Sequence, residues 1–319
     1  MIKVLKKFKS NFRLYKYCAQ YRKDDYKQID KFYQYISVIH SKELKMRKEY
    51  VDSQFEDETN QLQKDGFKII NFENMDLSNE FYESLNLLKE KYNQINWEIN
   101  AQVAESSLKT KIDFLRQQEV ELNHHIINVV SPFIQIITNY LKYLPIMLNS
   151  SFWYSPNKSK QLRSSQLFHL DPDDYKNVKI FIPIDEIDES SGPLNIIPAE
   201  NSIKIYNEAL KKGIIKKRGN KITDQEIQKF MGYNSKKILL KKNQIAMIDT
   251  CNCYHFGSRE SNKPRKLIFF HFTPPFSAKT PIFRKLISNE FIKNFKDQLI
   301  YSYLKNHTNH YSKKSYLKF

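Results

Sequence analysis

The chain has 319 residues, and 14% of them are aromatic, so it can bury a substantial core and is not a disordered protein. Its formal net charge of +17 favours anionic partners such as nucleic acid, phosphorylated metabolites or acidic lipid, although coding bias toward lysine explains much of that charge more simply. Three cysteines, Cys18, Cys251 and Cys253, are too few for a disulfide framework and favour a reducing, cytoplasmic setting.

The first predicted segment, residues 1–60, is a highly charged helical extension without proline or glycine. Residues 1–23 mix basic with apolar side chains, which leaves two interpretations. One is an amphipathic helix on anionic lipid, and the other, which we favour, is the outer face of a charged helix. The start of the chain is basic but lacks an apolar run of signal-peptide length.

Gly66 is the first glycine of the chain and predicts a turn, followed by a short strand at residues 67–72. Two or three helices are predicted between Ser78 and Tyr143. The most apolar stretch, residues 126–148, is broken by two prolines and several polar residues. This pattern favours a buried helix over a membrane span.

From residue 149 the pattern changes to short apolar runs separated by turn residues. Eight strands are predicted, at residues 150–155, 165–170, 178–184, 193–198, 237–240, 244–249, 253–256 and 266–272. Together they predict a mainly β antiparallel barrel or jelly roll with flanking helices and an α-helical N-terminal part. A polar insertion, residues 199–235, interrupts them, and Thr223 is the expected N-cap of a helix at 224–231. A basic, helical tail at residues 277–319 ends the chain.

The candidate metal ligands are His169, Asp171 and His255. Side chains two apart on a strand point to the same side, so His169 and Asp171 can face one ion together. His255, on another strand, is the best candidate for the third ligand. Two histidines and one carboxylate on one face make the site of non-heme Fe(II) oxygenases. The spacing alone is weak evidence, because an aspartate before proline is often a turn residue and a lone histidine is usually structural.

Arg265 follows His255 by ten residues and opens the last predicted strand. A guanidinium is the donor best suited to fix a carboxylate at a distance from the metal, because it binds in a bidentate way. The alternative is a surface arginine after the preceding Lys-Pro turn.

The order of these segments resembles the phytanoyl-CoA dioxygenase family of Fe(II)/2-oxoglutarate oxygenases. The likeness covers roughly residues 61–276, which would form the oxygenase domain with buttressing helices at 61–148. Five segments carry it: KDGFKIINF (64–72), QLFHLD (166–171), SGPLNIIPAENS (191–202), DTCNCYHFGSR (249–259) and PRKLIFFHF (264–272). The family has a glycine and a histidine near residues 199–202, where this chain has neither.

The resemblance implies a double-stranded β-helix, a jelly-roll variant, that uses Fe(II), 2-oxoglutarate and O2. His169, Asp171 and His255 would bind iron, and Arg265 would hold the distal carboxylate of 2-oxoglutarate. Gln166 and Tyr175 occupy positions where relatives contact the co-substrate, with an outward strand residue and a packing residue as the alternatives. Because the metal carboxylate is present, hydroxylation is favoured over halogenation.

The expected activity is hydroxylation of a small molecule with release of succinate and CO2, and the basic chain favours an anionic substrate. Basic residues of the insertion are candidates to meet it, against the simpler alternative of a solvated face: Lys211, Lys212, Lys216, Lys217 and Arg218. Two other functions remain open, a jelly-roll binding protein without catalysis and a basic protein associated with membrane surfaces or nucleic acid. No sequence-specific nucleic-acid binding is expected, and the oligomeric state is not indicated.

Overall fold

The computed structural model describes residues 55–98, 112–113, 122–142, 144–156, 162–174, 176–229 and 235–274. The described helices are α1 Glu56–Asp65, α2 Asn79–Asn93, α3 Leu122–Val130, α4 Ile134–Leu141, α5 Ala199–Lys211 and α6 Asp224–Lys229. The described strands are β1 Phe67–Asn71, β2 Ile112–Asp113, β3 Ile146–Ser155, β4 Val178–Pro183, β5 Leu194–Ile196, β6 Lys236–Ile238, β7 Gln244–Ile248, β8 His255–Phe256 and β9 Arg265–Thr273. Short 3-10 turns lie at Phe72–Asn74, Ser131–Phe133, Ser164–Gln166 and Glu189–Ser191.

Two antiparallel sheets form the core. The larger has the strand order β1-β7-β4-β9-β3-β2, and the smaller has the order β6-β5-β8. In the larger sheet β9 pairs with β3 on one side and with β4 on the other. This mainly β architecture is the predicted jelly roll with flanking helices.

The larger sheet is buried on both faces, which explains the nearly continuous apolar sequence of its central strands. On its outer face, Ile180 and Ile182 join the core that α1 to α4 cover. On its inner face, Phe181 and Phe269 meet residues of the smaller sheet. Alternate residues of one strand therefore serve two separate cores, and the inner one surrounds the candidate site.

Gly66 connects the first helix to the sheet in the way that the sequence predicts. Its φ of 77° is left-handed, and its amide donates a hydrogen bond of 2.9 Å to the Leu62 carbonyl, which closes α1. A Cβ at this position would collide with the sulfur of Cys253. The Gly66 carbonyl accepts a 2.8 Å hydrogen bond from the Asp249 amide, so this turn also supports the segment that leads to His255.

The insertion is more ordered than its polar composition suggests. Besides the predicted helix, which is α6, it contains α5, whose buried positions (Ala199, Ser202, Ile205, Tyr206 and Ala209) recur at helical spacing. Thr223 caps α6 as expected, because its Oγ1 accepts a 3.3 Å hydrogen bond from the Glu226 amide. Both helices pack on a third apolar cluster that includes Phe168 and Tyr254.

Several predicted boundaries need correction. The strand predicted at 165–170 is a 3-10 turn followed by two isolated bridges, at Phe168 and His169. β3 begins at Ile146, earlier than predicted, and β8 is limited to His255–Phe256 because the residues before it form a turn. Most of the extension at 1–60, the tail at 277–319 and Cys18 lie outside the described residues.

The apolar stretch at 126–148 is confirmed as buried helical structure that runs into β3. Among the described helices, none combines the length and the apolar character that crossing a membrane requires.

Candidate metal centre

His169 and His255 lie directly opposite one another on neighbouring segments. The amide of each donates a hydrogen bond of 3.1 Å to the carbonyl of the other. Residues paired in this way project their side chains to the same face. The two imidazole centroids are therefore only 4.3 Å apart, although the residues are far apart in sequence.

Backbone carbonyls fix the orientation of both rings. Nδ1 of His169 lies 2.8 Å from the Leu167 carbonyl oxygen, and Nδ1 of His255 lies 2.9 Å from that of Cys253. Because a carbonyl only accepts, each Nδ1 carries the proton and each Nε2 is left with a free lone pair. This is the arrangement found around metal-binding histidines.

Asp171 completes the set. Its amide donates a 2.8 Å hydrogen bond to the Thr250 carbonyl, which holds the residue beside the segment that leads to β8. Its Oδ1 lies 3.6 Å from Nε2 of His169, and its Oδ2 lies 3.9 Å from Nε2 of His255. Ligands at right angles on bonds of roughly 2.1 Å are about 3 Å apart. All three donor atoms lie within 4.8 Å of one another, so the residues fit a single metal ion.

The protonation states also suit a metal. Burial lowers the pKa of His169, and burial together with the neighbouring His169 lowers the pKa of His255 to about 3. Burial is the largest single influence on the pKa of Asp171 and pushes it upward, but Lys179 and the two histidines together outweigh it and hold that pKa well below its usual range. The site therefore offers two neutral imidazoles and a carboxylate, a donor set suited to Fe(II) with open coordination positions.

Asp249 organises the turn that delivers His255. Its Oδ1 accepts hydrogen bonds from the amides of Cys251 at 2.9 Å and Asn252 at 3.1 Å. Its Oδ2 accepts from the Tyr140 hydroxyl and the Asn252 side-chain amide, both at 2.6 Å. Burial raises the pKa of Asp249 despite these donors. The turn is thus tied to α4, which explains how a helix of the outer layer supports the site.

Cys251 and Cys253 lie in this turn, although Cys253 falls within the strand predicted at 253–256. Both thiols are free and buried, and burial raises their pKa. They are packing residues, and neither belongs to the metal-binding group.

Arg265 is a buried cation without a carboxylate partner among the described residues. The side chain is 6% exposed. One terminal nitrogen donates to the Gly192 carbonyl at 3.2 Å and the other to the Ser258 hydroxyl at 2.9 Å. Its Nε has no hydrogen-bond partner among the described residues, and burial lowers the pKa of the guanidinium to about 10. A buried, incompletely paired guanidinium is costly unless an anion completes it.

Gly257 explains how Arg265 reaches the site. A Cβ on Gly257 would lie 2.8 Å from one terminal nitrogen of Arg265 and 3.1 Å from the other, so the guanidinium rests on the glycine backbone. Gly257 is two residues beyond His255, which corresponds to roughly 7 Å along an extended chain. The guanidinium therefore lies close to the segment that carries His255.

Of the two residues predicted to contact the co-substrate, the structure describes only Gln166. Gln166 is buried, and its amide bonds to backbone: Nε2 donates to the Ser258 carbonyl at 2.7 Å, and Oε1 accepts from the Arg163 amide at 3.1 Å. In this position it supports Ser258, whose φ of 60° is strained for a non-glycine residue. Contact of Gln166 with a co-substrate remains a prediction, and Tyr175 lies outside the described residues.

Lys179 is the site residue that sequence analysis missed. It projects inward from β4, its ammonium contacts Asp171, and it lies 3.5 Å from the carboxylate of Asp173. A lysine in the otherwise apolar run VKIFIPI was the available signal. His271 pairs with Lys179 across the sheet, and its Nε2 lies 3.2 Å from the side-chain nitrogen of Asn177.

The insertion contacts the site through fewer basic residues than expected. Lys211, Lys212, Lys216 and Lys217 are exposed. Arg218 instead bonds to the Asp174 carbonyl at 2.9 Å and the Asn252 side chain at 3.0 Å, which fastens the insertion to the metal-bearing segments. Arg259 also holds the insertion in place, because its guanidinium donates two 2.7 Å hydrogen bonds to Asp224.

Neither a protein-family model nor a curated protein matches this chain. Solved structures that match include EctD from S. alaskensis in its apoform, with 12% identity and a TM-score of 0.48 over 74% of this chain and 82% of that one. AviO1 from Streptomyces viridochromogenes Tue57 has 11% identity and a TM-score of 0.43 over 72% of this chain and 100% of that one. The α-ketoglutarate-dependent epimerase SnoN has 9% identity and a TM-score of 0.44 over 69% and 83%. Likeness at this level carries no conclusion about function, and membership of the phytanoyl-CoA dioxygenase family stays a prediction.

Proposed function

We propose that this chain is an Fe(II)- and 2-oxoglutarate-dependent oxygenase of the phytanoyl-CoA dioxygenase type that hydroxylates a small molecule. One observation carries the proposal: beside the His-Asp-His donor set, a buried guanidinium without a carboxylate partner among the described residues rests on Gly257, two residues beyond His255. The donor set alone suits several divalent metals. The buried cation, which rests on Gly257 two residues beyond the metal ligand His255, is what favours a dicarboxylate co-substrate.

The protein would hold iron through Nε2 of His169, Nε2 of His255 and a carboxylate oxygen of Asp171. Both imidazoles are already neutral and oriented by backbone carbonyls, so little rearrangement is needed for binding. Three protein ligands leave other coordination positions for the co-substrate and O2. When bound, iron and 2-oxoglutarate would supply the oxidising chemistry with O2, and succinate and CO2 would be the products of the co-substrate.

Arg265 would bind the distal carboxylate of 2-oxoglutarate, helped by the Ser258 hydroxyl that it already contacts. The new acceptor would reach the incompletely paired guanidinium in a site that excludes water, where such a pair is strongest. Apolar rings line the interior beside it: Trp153 stacks on Phe269 at 3.8 Å and meets Phe181 at 5.7 Å. These rings would keep the co-substrate dry and positioned.

The substrate side is proposed to involve the insertion. A Cβ on Gly219 would come within 3.2 Å of Pro172, so this part of the insertion lies on the residue that follows Asp171. Loops placed in this way set specificity while the sheet holds the reacting groups. The lysines of the insertion are exposed, so an anionic substrate remains a proposal.

The test is anaerobic addition of Fe(II) and then 2-oxoglutarate to the metal-free protein, followed by visible spectroscopy. Chelation of the keto acid to iron gives a weak charge-transfer band. We expect the band in the native chain and its loss in His169→Ala. In Arg265→Ala, half-saturation should require at least about a tenfold higher 2-oxoglutarate concentration, a loss of ~1.4 kcal/mol in binding free energy.

Lys263→Ala is the matched control, because it removes an exposed cation two residues from Arg265. It should titrate like the native protein. Iron binding without a band would mean another co-substrate on the same fold. Absence of metal binding would remove the oxygenase proposal and favour the binding-protein alternative. The membrane-surface alternative depends on residues 1–23, outside the described part of the chain.

A further inference from the structure

We propose that Lys179 is an internal counter-ion that occupies Asp171 in the metal-free protein and transfers to Asp173 when a divalent metal binds, so that it sets the metal affinity of the site. The inference rests on the metal-binding part of the proposed function and is independent of 2-oxoglutarate. It assigns a positioning role to Lys179 and Asp173, and neither residue is a ligand in the metal-binding group.

The position of Lys179 makes an ion pair obligatory. It lies on the inward face of β4, between the outward Val178 and Ile180, and is 8% exposed. Its ammonium lies 5.9 Å from the centroid of the Phe269 ring, in the apolar interior between the sheets. A buried ammonium among apolar side chains is unfavourable unless carboxylates compensate it.

Two carboxylates share this ammonium. Lys179 contacts Oδ2 of Asp171, the oxygen nearest to His255, and lies 3.5 Å from Oδ2 of Asp173. Asp173 is itself 6% exposed. In the metal-free protein one lysine thus balances part of the charge of two buried acids.

A divalent metal changes this balance. When the metal takes Asp171, the lysine competes with it for the same carboxylate, since both are cations. Asp173 then offers the lysine a partner within a short side-chain movement, and no buried ammonium is left unpaired. Competition at Asp171 weakens metal binding, whereas the availability of Asp173 relieves that competition.

The neighbourhood of Asp173 is consistent with this role. His271 Nε2 lies 3.7 Å from Asp173 and 3.2 Å from the side-chain nitrogen of Asn177. The Asn177 oxygen accepts a 3.0 Å hydrogen bond from the Thr250 amide, which turns its nitrogen toward His271 as a donor. His271 then accepts at Nε2, and Lys179 is the ammonium that lies beside Asp173.

The experiment is calorimetric titration of the metal-free chain with Mn(II) alone. Lys179→Met removes the competing charge at similar volume, and we expect at least about tenfold tighter binding, within the range for residues of one ion-pair network. Asp173→Asn removes the second partner of the lysine, and we expect weaker binding by a similar factor. The double variant should bind like Lys179→Met, because Asp173 acts only through the lysine.

Lys266→Met is the matched control. Lys266 is a strand lysine paired with Asp185 at 3.0 Å, and it lies on the face of β9 opposite to the site. Its replacement should leave the Mn(II) affinity unchanged. The melting temperature provides a second measurement. Mn(II) should raise it more in Lys179→Met than in the native chain, because two buried carboxylates then lack their ammonium until the metal arrives.

Three results would overturn the proposal. They are unchanged or weaker Mn(II) binding in Lys179→Met, an equal effect of Asp173→Asn with and without Lys179, and no Mn(II) binding in any form of the chain. If Lys179→Met does not fold, tighter or unchanged binding in Asp173→Asn contradicts the transfer by itself. The expected pattern in a protein that gives no 2-oxoglutarate band would refute the oxygenase proposal and leave this one standing.

Discussion

Replacement of Asp249 by alanine should be among the most destabilising changes at the candidate site. The carboxylate is fully buried and accepts five hydrogen bonds of 2.6 to 3.4 Å, from Tyr140, Cys251, Asn177 and two groups of Asn252. Each donor left unpaired in the interior costs about 1–3 kcal/mol. Since the turn can relax in part, we expect a total loss of about 3–5 kcal/mol, the range for breaking a buried polar network.

The assay is urea unfolding of the metal-free protein, followed by circular dichroism. Asp249→Asn keeps an oxygen for the three backbone amides and should lose only about 1–2 kcal/mol, because its new side-chain nitrogen is a donor that then faces the side-chain nitrogen of Asn252. Asp185→Ala is the control, since it removes a half-exposed ion pair with Lys266 and should change stability by less than about 0.5 kcal/mol.

The Asp249→Ala substitution should also affect the metal affinity of the site. Asp249 fixes the turn that carries His255, so the alanine variant should bind Mn(II) more weakly even where it remains folded. A loss of stability below about 1 kcal/mol for Asp249→Ala would refute the reasoning, because it would mean that the turn is held by backbone contacts without the carboxylate.

Four further predictions concern space and charge. Gly257→Ala places a Cβ 2.8 Å from Arg265 and should weaken 2-oxoglutarate binding at least about tenfold with little change in Mn(II) affinity, measured by calorimetry of both ligands. Gly66→Ala meets both a left-handed φ and the Cys253 sulfur, so urea unfolding should show a loss of about 2 kcal/mol or more. Between pH 7.5 and 5.5 the Mn(II) affinity should fall far less than the ~100-fold expected for two ordinary imidazoles, because the pKa values of His169 and His255 are lowered. For the same reason, the unfolded chain binds more protons than the folded one below pH ~6.5. The unfolding free energy of the metal-free protein should therefore decrease as the pH is lowered, by up to about 1.4 kcal/mol per pH unit for each histidine. An unchanged unfolding free energy would contradict this.

The strand pattern and its chemistry could be predicted because they depend on neighbouring residues. Alternation and turn residues located most of the strands, and the spacing of His169 and Asp171 placed both on one side of the chain. The strand at 165–170 was predicted wrongly because a run such as SQLFHL suits a strand locally, whereas hydrogen bonds to Ser258 and Arg163 fold its first half into a turn. α5 was missed although its apolar residues have helical spacing, because the segment was judged by its polar composition.

By itself, the sequence determined the fold class, the ligand types and their order, since these are properties of residues close together in the chain. Only the tertiary structure decided which groups meet. It brought Tyr140 to Asp249 across 109 residues, set Arg265 on the bare backbone of Gly257, and placed Lys179 against Asp171. Such contacts depend on how two sheets and a helical layer pack against one another. Burial then makes an unpaired charge unfavourable, so each buried charge requires a partner.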